Sequence, residues 1–374
     1  MNIKTAVADR YSKGAKTVEP SLCCPVDYDK DLLARLPPEI VAKDYGCADP
    51  SRYARPGDTV LDLGCGAGKI CYMTAQVVGE RGRVIGVDIN DDMLALARKY
   101  QPLMAQTLGG DRVTFLKGHI EDLALDPVKV ERRLQGQPVT SARDLDQFNE
   151  WMARLRRDEP LIGDGSVDLV VSNCVLNLVD DADKARLIRE IHRVLKPGGR
   201  VAVSDIISDE PVPQHLKGDA ELWSGCVSGA FHEQAFVGAF RDAGFLAVAY
   251  DKWQAEPWRV IDGIEFRSAT VVAVKGAGTP CLDMGHAVIY RGPFSSVTDD
   301  EGHVFPRGER MAVCERTYTL LTEGPYKDAF IGIAPAAPSE PTPGCAPSGT
   351  RRPAAQTKGA VHLRGAGGSG TGCC

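Results

Sequence analysis

Between residues 56 and 275 the chain alternates short, nearly continuous apolar runs with longer stretches whose apolar positions recur every three or four residues. The first pattern is that of a strand buried on both faces, the second that of an amphipathic helix laid on a sheet. TVLDL at Thr59–Leu63, Val84–Val87, Val113–Lys117, Val167–Ser172 and Arg200–Asp205 are the predicted strands, with two more near 245–251 and 268–275. Between them, residues 70–78, Asp91–Lys99, Lys184–Leu195 and Glu233–Ala243 carry the helical period, and Pro197-Gly198-Gly199 and Gly244 supply stop signals. Strands alternating with helices predict an α/β fold with a doubly wound, mostly parallel sheet.

The flanks of this region read differently. Residues 1–55 hold a short helix-like patch at Lys30–Leu36, a Pro37-Pro38 break and a second patch at Glu39–Lys43, which predict an N-terminal helical lid. A charged segment over residues 124–160, containing Asp144–Arg157, interrupts the alternation as a helical insertion packed outside the sheet. Over residues 277–335 the segments HAVIYRG and ERMAVCERTYTLL alternate in polarity between the turns DDEGH and EGPY, predicting a small β-rich unit. Pro, Gly, Ser and Ala dominate beyond it, so 336–374 is expected to be a disordered, flexible tail.

Composition narrows the function. With 374 residues, 43% hydrophobic and 25% charged, the chain can bury a sizeable core. A net charge of −6, with no local basic cluster, gives no field for a phosphate backbone and argues against nucleic acid as partner. The N-terminus MNIKTAVADRYSKGAK lacks a secretory apolar stretch and no run is long enough to span a membrane, so a cytoplasmic location is expected. In that compartment 12 cysteines are not a disulfide framework by default, and metal or thiol chemistry becomes the leading explanation. Cys47, Cys71, Cys174 and Cys226 stand singly, without the C-x-x-C pairing of tetrahedral zinc sites, and would have to be gathered by the fold.

VLDLGCGAGK places Gly64, Gly66 and Gly68 directly after a predicted strand and before a predicted helix, where the backbone can turn tightly and approach a ligand. The alternating glycines, with Asp62 just ahead, resemble the first motif of class I methyltransferases rather than the G-x-G-x-x-G of dinucleotide binders. Asp88 ends the next strand, where a carboxylate can accept ribose hydroxyls, and Glu121 and Asp122 follow the third strand, where they can meet an adenine amino group or simply cap a helix. Asn173 and Asn177 flank Cys174, with ligand positioning and helix capping both open.

Where a methyl acceptor should sit, at the carboxyl edge of the sheet, the sequence offers mostly cysteine rather than a general base. Cys71 opens the helix after the glycine loop, where the helix dipole favours a thiolate, Cys174 follows the fourth strand, and Cys226 can join from a loop. Thiolates select soft ions, and three of them match the pyramidal coordination of trivalent arsenic or antimony. Such an acceptor carries its own lone pair and needs no proton removed.

YGC at 45–47, GKICY from 68, SNCVLNL from 172, VLKPGG from 194 and ELWSGCVSGAF from 221 resemble the arsenite methyltransferase family, over roughly residues 10–275. The resemblance implies S-adenosyl-L-methionine as cofactor, arsenite or its glutathione conjugate as acceptor, and thioredoxin or glutathione as reductant. It also implies that Cys174 and Cys226 bind arsenic directly, with Cys71 a candidate third ligand, while Cys47 and Cys71 form the pair that exchanges disulfides. This chain departs from the family in having Ala48 where glycine is usual, Lys69-Ile70 where Arg-Asp is common, and an additional thiol at Cys65. The competing readings are a small-molecule C- or O-methyltransferase of the quinone-pathway type and a metalloid-sequestering protein without catalysis. Cys23-Cys24 and Cys373-Cys374 could collect thiophilic ions or be incidental.

Overall fold

The computed structural model describes residues 3–19, 26–335, 340–344 and 346–357. Two compact units divide the chain, Met1–Gly276 and Ala277–Cys374.

In the first unit, among the described residues, α1 (Ile3–Lys16), α2 (Lys30–Leu33), α3 (Pro38–Lys43) and a 3-10 turn at Pro50–Tyr53 precede the sheet. There follow β1 (Thr59–Leu63), α4 (Lys69–Val78), β2 (Arg83–Asp88), α5 (Asp91–Lys99), α6 (Gln101–Leu108) and β3 (Val113–Lys117). The insertion forms α7 (Pro127–Gly136) and α8 (Ala142–Asp158), before β4 (Val167–Asn173), α9 (Asp181–Val194) and β5 (Leu195–Ser208). Last come α10 (Gln214–Lys217), α11 (Ala220–Ser224), β6 (Phe231–His232), α12 (Glu233–Asp242), β7 (Phe245–Trp253), β8 (Arg259–Ile261) and β9 (Ile264–Lys275).

The main sheet runs β3-β2-β1-β4-β5-β9-β7, with β6 beside β5 and β8 beside β9. β1 to β5 pair in parallel, whereas β9 is antiparallel to both β5 and β7. This is the expected doubly wound sheet, closed by an antiparallel edge. Successive residues of β4 serve opposite apolar layers: Val170 packs with Leu187, Ile188 and Phe236, and Val171 with Met73, Val84 and Leu94. Burial on both faces is why these strands read as continuous apolar runs.

Several boundaries differ from expectation. α9 begins at Asp181 rather than Lys184, because the Asp180 carboxylate caps it through the Ala182 N–H. β5 begins at Leu195 and runs through Pro197-Gly198-Gly199: a register shift between Val167 and Leu169 absorbs the missing proline N–H, and Gly198 adopts φ 76°. α1 was not resolved as a helix by the sequence reading. α8 is tied to the sheet by Arg156, which grips Asp122 through three hydrogen bonds of 2.8–3.3 Å.

In the second unit, Ala287–Tyr290 pairs antiparallel with Arg310–Ala312 on one side and Phe330–Ile333 on the other, over a core containing Val288, Phe305, Met311 and Leu321. Glu315–Glu323, expected as a strand, is a helix capped by Cys314, whose sulfur faces the Thr317 N–H at 3.5 Å. Within the segment expected to be flexible, Thr342–Pro343 pairs with Leu282–Asp283, and Arg352 bonds Asp283 at 2.6 Å. Cys23, Cys24, Cys373 and Cys374 lie outside the described residues. No helix among the described residues is long and apolar enough to cross a membrane.

Candidate active site

The loop from β1 to α4 turns through left-handed backbone at Gly64 (φ 66°), Gly66 (φ 52°) and Gly68 (φ 87°). Each glycine is required for a different reason. A Cβ on Gly64 would collide with Val175 and one on Gly68 would meet Phe115 at 2.8 Å, whereas Gly66 is required by its positive φ alone, an added Cβ there making only ordinary contact with Asp44. The Gly64 and Cys65 N–H groups both donate to the Val87 carbonyl, and the Gly66 N–H donates to the Asp88 carboxylate at 2.9 Å. The other Asp88 oxygen accepts the Asn90 N–H at 2.8 Å. Burial raises the affinity of Asp88 for a proton, and these N–H donors oppose it.

Above this loop lies a cavity of about 230 Å³. Gly64, Gly66, Asp88, Glu121, Asn173 and Cys174 line it, and Ile89 and Ile120 give it an apolar wall. The arrangement suits a nucleoside with a charged tail: an oriented carboxylate for hydroxyls, an apolar slot for a base, and backbone approachable where Cβ atoms are missing. Burial pushes the Glu121 carboxyl up, but the hydrogen bond from His119 and the Lys4 charge outweigh it and bring it to about 2. Glu121 is therefore ionised.

Three of the expected cofactor residues do not face the cavity. Asp122 is consumed by Arg156, Gly68 caps α4 against Phe115, and Asp62 is buried beneath the loop, where it accepts from the Cys71 thiol at 3.1 Å. Burial lifts the Asp62 carboxyl to about 8.

Cys71 itself is displaced from its expected role. It lies in the first turn of α4, but its sulfur points under β2, beside that of Cys65: a Cβ on Gly86 would sit 2.7 Å from one sulfur and 2.8 Å from the other. Burial raises the Cys71 thiol well above its ordinary range, and the neighbouring Cys65 and Asp62 add to it; Cys65 is lifted to about 11. Desolvation thus overrides the helix dipole that the sequence suggested would give a thiolate.

The thiols gathered at the sheet edge are Cys47, Cys174 and Cys226, packed in one cluster with Ile206 and Phe266. Cys47 is disulfide-bonded to Cys174, with a Cα–Cα distance of 6.0 Å, so the expected Cys47–Cys71 pair is not formed. The Cys226 sulfur sits 3.2 Å from the Cys174 carbonyl. Among the described residues no group of three or more His, Cys, Asp or Glu side chains is set to hold a metal ion in this state.

Asn173 builds the junction between cluster and cavity. Its Oδ1 accepts the N–H groups of Cys47 (2.9 Å) and Ala48 (3.1 Å), while its Nδ2 donates to the Ala48 carbonyl at 2.8 Å. Asp44, three residues before Cys47, takes the Lys69 N–H at 3.0 Å, and Lys69 Nζ returns to the Asp44 carbonyl at 2.7 Å, tying the YGC segment to the glycine loop. Asn177 performs a similar service for the other thiol, donating to the carbonyls of Ile206 (2.6 Å) and Cys226 (3.2 Å). Trp223 is buried, with its indole N–H on the Leu178 carbonyl, and Tyr72 packs against Phe115 with its hydroxyl on Ala97.

The sequence reading missed α1. Its Lys4, Val7, Ala8 and Tyr11 close one side of the cavity, and the Tyr11 hydroxyl lies 3.9 Å from the Cys226 sulfur. The signal was a stripe at 6, 7, 10, 11, 14 and 15, of helical period but composed largely of small residues.

Known proteins resemble this chain over most of its length. Residues 54–134 and 147–254 match the family described as "Methyltransferase domain", and 277–362 match "Domain of unknown function (DUF8838)". The chain is 31% identical to an arsenite methyltransferase of Aquipseudomonas alcaligenes, over 87% of this chain and 89% of that one. It is 28% identical to the human arsenite methyltransferase, over 84% and 77% of the respective chains. Among solved structures, an arsenic(III) S-adenosylmethionine methyltransferase from Chlamydomonas reinhardtii superposes with a TM-score of 0.57 at 27% identity, covering 84% of this chain and 97% of that one.

Proposed function

The chain belongs to the arsenite methyltransferase family, and from that premise we propose that it methylates trivalent arsenic held by the thiols of Cys174 and Cys226, with Cys47 as the third sulfur. The observation that carries the reading is the gathering of these three cysteines beside the cavity, with Cys174 belonging to both.

S-adenosylmethionine, when bound, supplies an electrophilic sulfonium methyl. Asp88 would hold its ribose hydroxyls, Gly64 and Gly66 would admit its tail, and Glu121, ionised and paired with Lys4, would face its cationic or amino groups. Opening the Cys47–Cys174 bond frees two thiols next to Cys226, and three sulfurs satisfy a pyramidal ion without the fourth ligand zinc requires. The arsenic lone pair then forms the As–C bond as the S–C bond breaks, its electrons returning to sulfur. No proton is removed, so the step makes no demand for a general base. Methylation formally oxidises arsenic by two electrons, and oxidation of Cys47 and Cys174 to their disulfide returns two electrons to it. An external thiol, glutathione or thioredoxin, would reopen that bond by exchange.

The test is transfer of labelled methyl from S-adenosylmethionine to arsenite in the presence of glutathione. The native chain should label arsenicals, Cys174→Ser and Cys226→Ser should not, and Cys47→Ser should stall once its arsenical must be re-reduced. Transfer that survives loss of Cys226 would mean that arsenic is held elsewhere. Binding of both ligands without transfer would favour sequestration.

A further inference from the structure

The cofactor cavity and the thiol cluster share Cys174, and α1 touches both. On the cavity side, Asn90 Nδ2 donates to the Ala8 carbonyl and to Ser12 Oγ, each at 3.1 Å, fixing the helix beside Asp88. On the thiol side, Arg10 Nη1 donates to the Glu221 carbonyl and to Ser224 Oγ, each at 2.9 Å, both in the short helix that leads into Cys226. Tyr11 stands where the two sides meet: it lines the cavity, and its hydroxyl reaches the Cys226 sulfur at 3.9 Å. Its ring packs edge-on against Tyr45, two residues before Cys47, at a centroid separation of 6.3 Å. The Tyr45 hydroxyl in turn donates to the Gly14 carbonyl and accepts the Glu19 N–H.

We infer that Tyr11 is a positioning residue that couples occupancy of the cofactor cavity to the geometry of the Cys226 thiol. The inference rests on the reading of Cys226 as an arsenic ligand. The ring and the hydroxyl divide the work. The ring is an apolar wall that any occupant of the cavity presses on, whereas the hydroxyl is a polar tip aimed at sulfur. Whatever fixes α1 over the cavity therefore fixes the loop after α11, through Tyr11 and through Arg10. By linkage, a ligand on the thiols must favour the cavity occupant to the same degree. Phenylalanine keeps the wall and removes the tip, while loss of Arg10 frees the loop without touching the cavity lining.

The experiment measures that coupling on the reduced full chain. The dissociation constant of phenylarsine oxide, a trivalent arsenical, is determined by titration with and without saturating S-adenosylhomocysteine. The native protein should show a difference of about fivefold or more. In Tyr11→Phe, and likewise in Arg10→Met, the difference between the two titrations should fall below about twofold. Melting curves confirm that both variants are folded. Native-like coupling in Tyr11→Phe, or no coupling in the native chain, overturns the inference. Arsenite turnover in the same preparations separates it from the proposed function. Coupling without turnover removes the arsenite reading alone, and turnover with coupling retained in Tyr11→Phe removes the role of Tyr11 alone.

Discussion

Asn173→Ala is the substitution that most directly tests how the thiol loop is held. The native amide takes two N–H donors from Cys47 and Ala48 and gives one to Ala48. Alanine removes all three bonds and leaves two N–H groups, that of Cys47 fully buried, without an acceptor. Each such group costs about 1–3 kcal/mol, so after partial relaxation the loss is about 2–4 kcal/mol. In a unit of this size that corresponds to roughly a 3–7 °C fall in melting temperature. The assay uses reduced protein, so that the Cys47–Cys174 bond cannot tether the loop. Melting is followed by circular dichroism, and alkylation of Cys47 by iodoacetamide is timed by peptide mapping. Alkylation should accelerate, because freeing residues 46–48 exposes a sulfur that is now 5% accessible at the residue level. A melting temperature within about 1 °C of native together with unchanged alkylation would refute the view that Asn173 holds this loop.

Three further outcomes follow from the same geometry. Gly86→Ala should cost about 1–3 kcal/mol, because its Cβ would enter the contact spheres of the Cys65 and Cys71 sulfurs, and adding Cys71→Ala should recover part of the loss in urea unfolding; no recovery in the double variant refutes the clash. Asp62, at about 8, and Asp205, at about 7, bind protons more tightly folded than unfolded, where a carboxyl titrates near ~3.9. Their stabilisation is therefore complete below about pH 4 and is lost as pH rises through 7 to 8, so Asp62→Asn should flatten the decline of the urea midpoint between about pH 5 and 9; a decline as steep as native would contradict it. Asp88→Ala should weaken S-adenosylhomocysteine binding about 10- to 100-fold by calorimetry, the worth of hydrogen bonds to a charged group, and undiminished binding would remove Asp88 from the cofactor site.

The sheet was legible because parallel strands buried on both faces leave nearly unbroken apolar runs, as in Thr59–Leu63 and Val113–Lys117. The failures have definite causes. Pro197-Gly198-Gly199 looks like a break when read locally, but it is carried through by a bulge against β4, which only the paired strand reveals. α1 buries alanines and glycine rather than large side chains, so its stripe gives little contrast against the charged face. That Cys47, and not Cys71, joins Cys174 and Cys226 in one cluster could not be read from spacing. It depends on which way a first-turn side chain of α4 points, and on an asparagine 126 residues from Cys47 that pins the loop. Sequence locates the strands well; it does not locate the loops that distant side chains fold onto them.

The backbone at the thiols shows how stability and chemistry are balanced here. Cys174 (φ 59°) and Cys226 (φ 63°) both adopt left-handed conformations, a region in which a non-glycine residue costs of order 1–3 kcal/mol. Glycine would relieve that strain at either position and would also delete the sulfur. The surrounding bonds hold the strained form in place: the Cys174 N–H donates to the Ser204 carbonyl at 2.8 Å, and Asn177 clamps the Cys226 carbonyl. A left-handed residue directly after a strand turns its side chain back across the strand end instead of along the departing chain. In Cys174, which follows β4, that turn places the residue in the cavity wall, and the Cys226 sulfur meets its carbonyl at 3.2 Å. The strain thus accompanies the meeting of two cysteines from separate loops, of which Cys174 also lines the cavity, and the asparagines beside them are what make it persist.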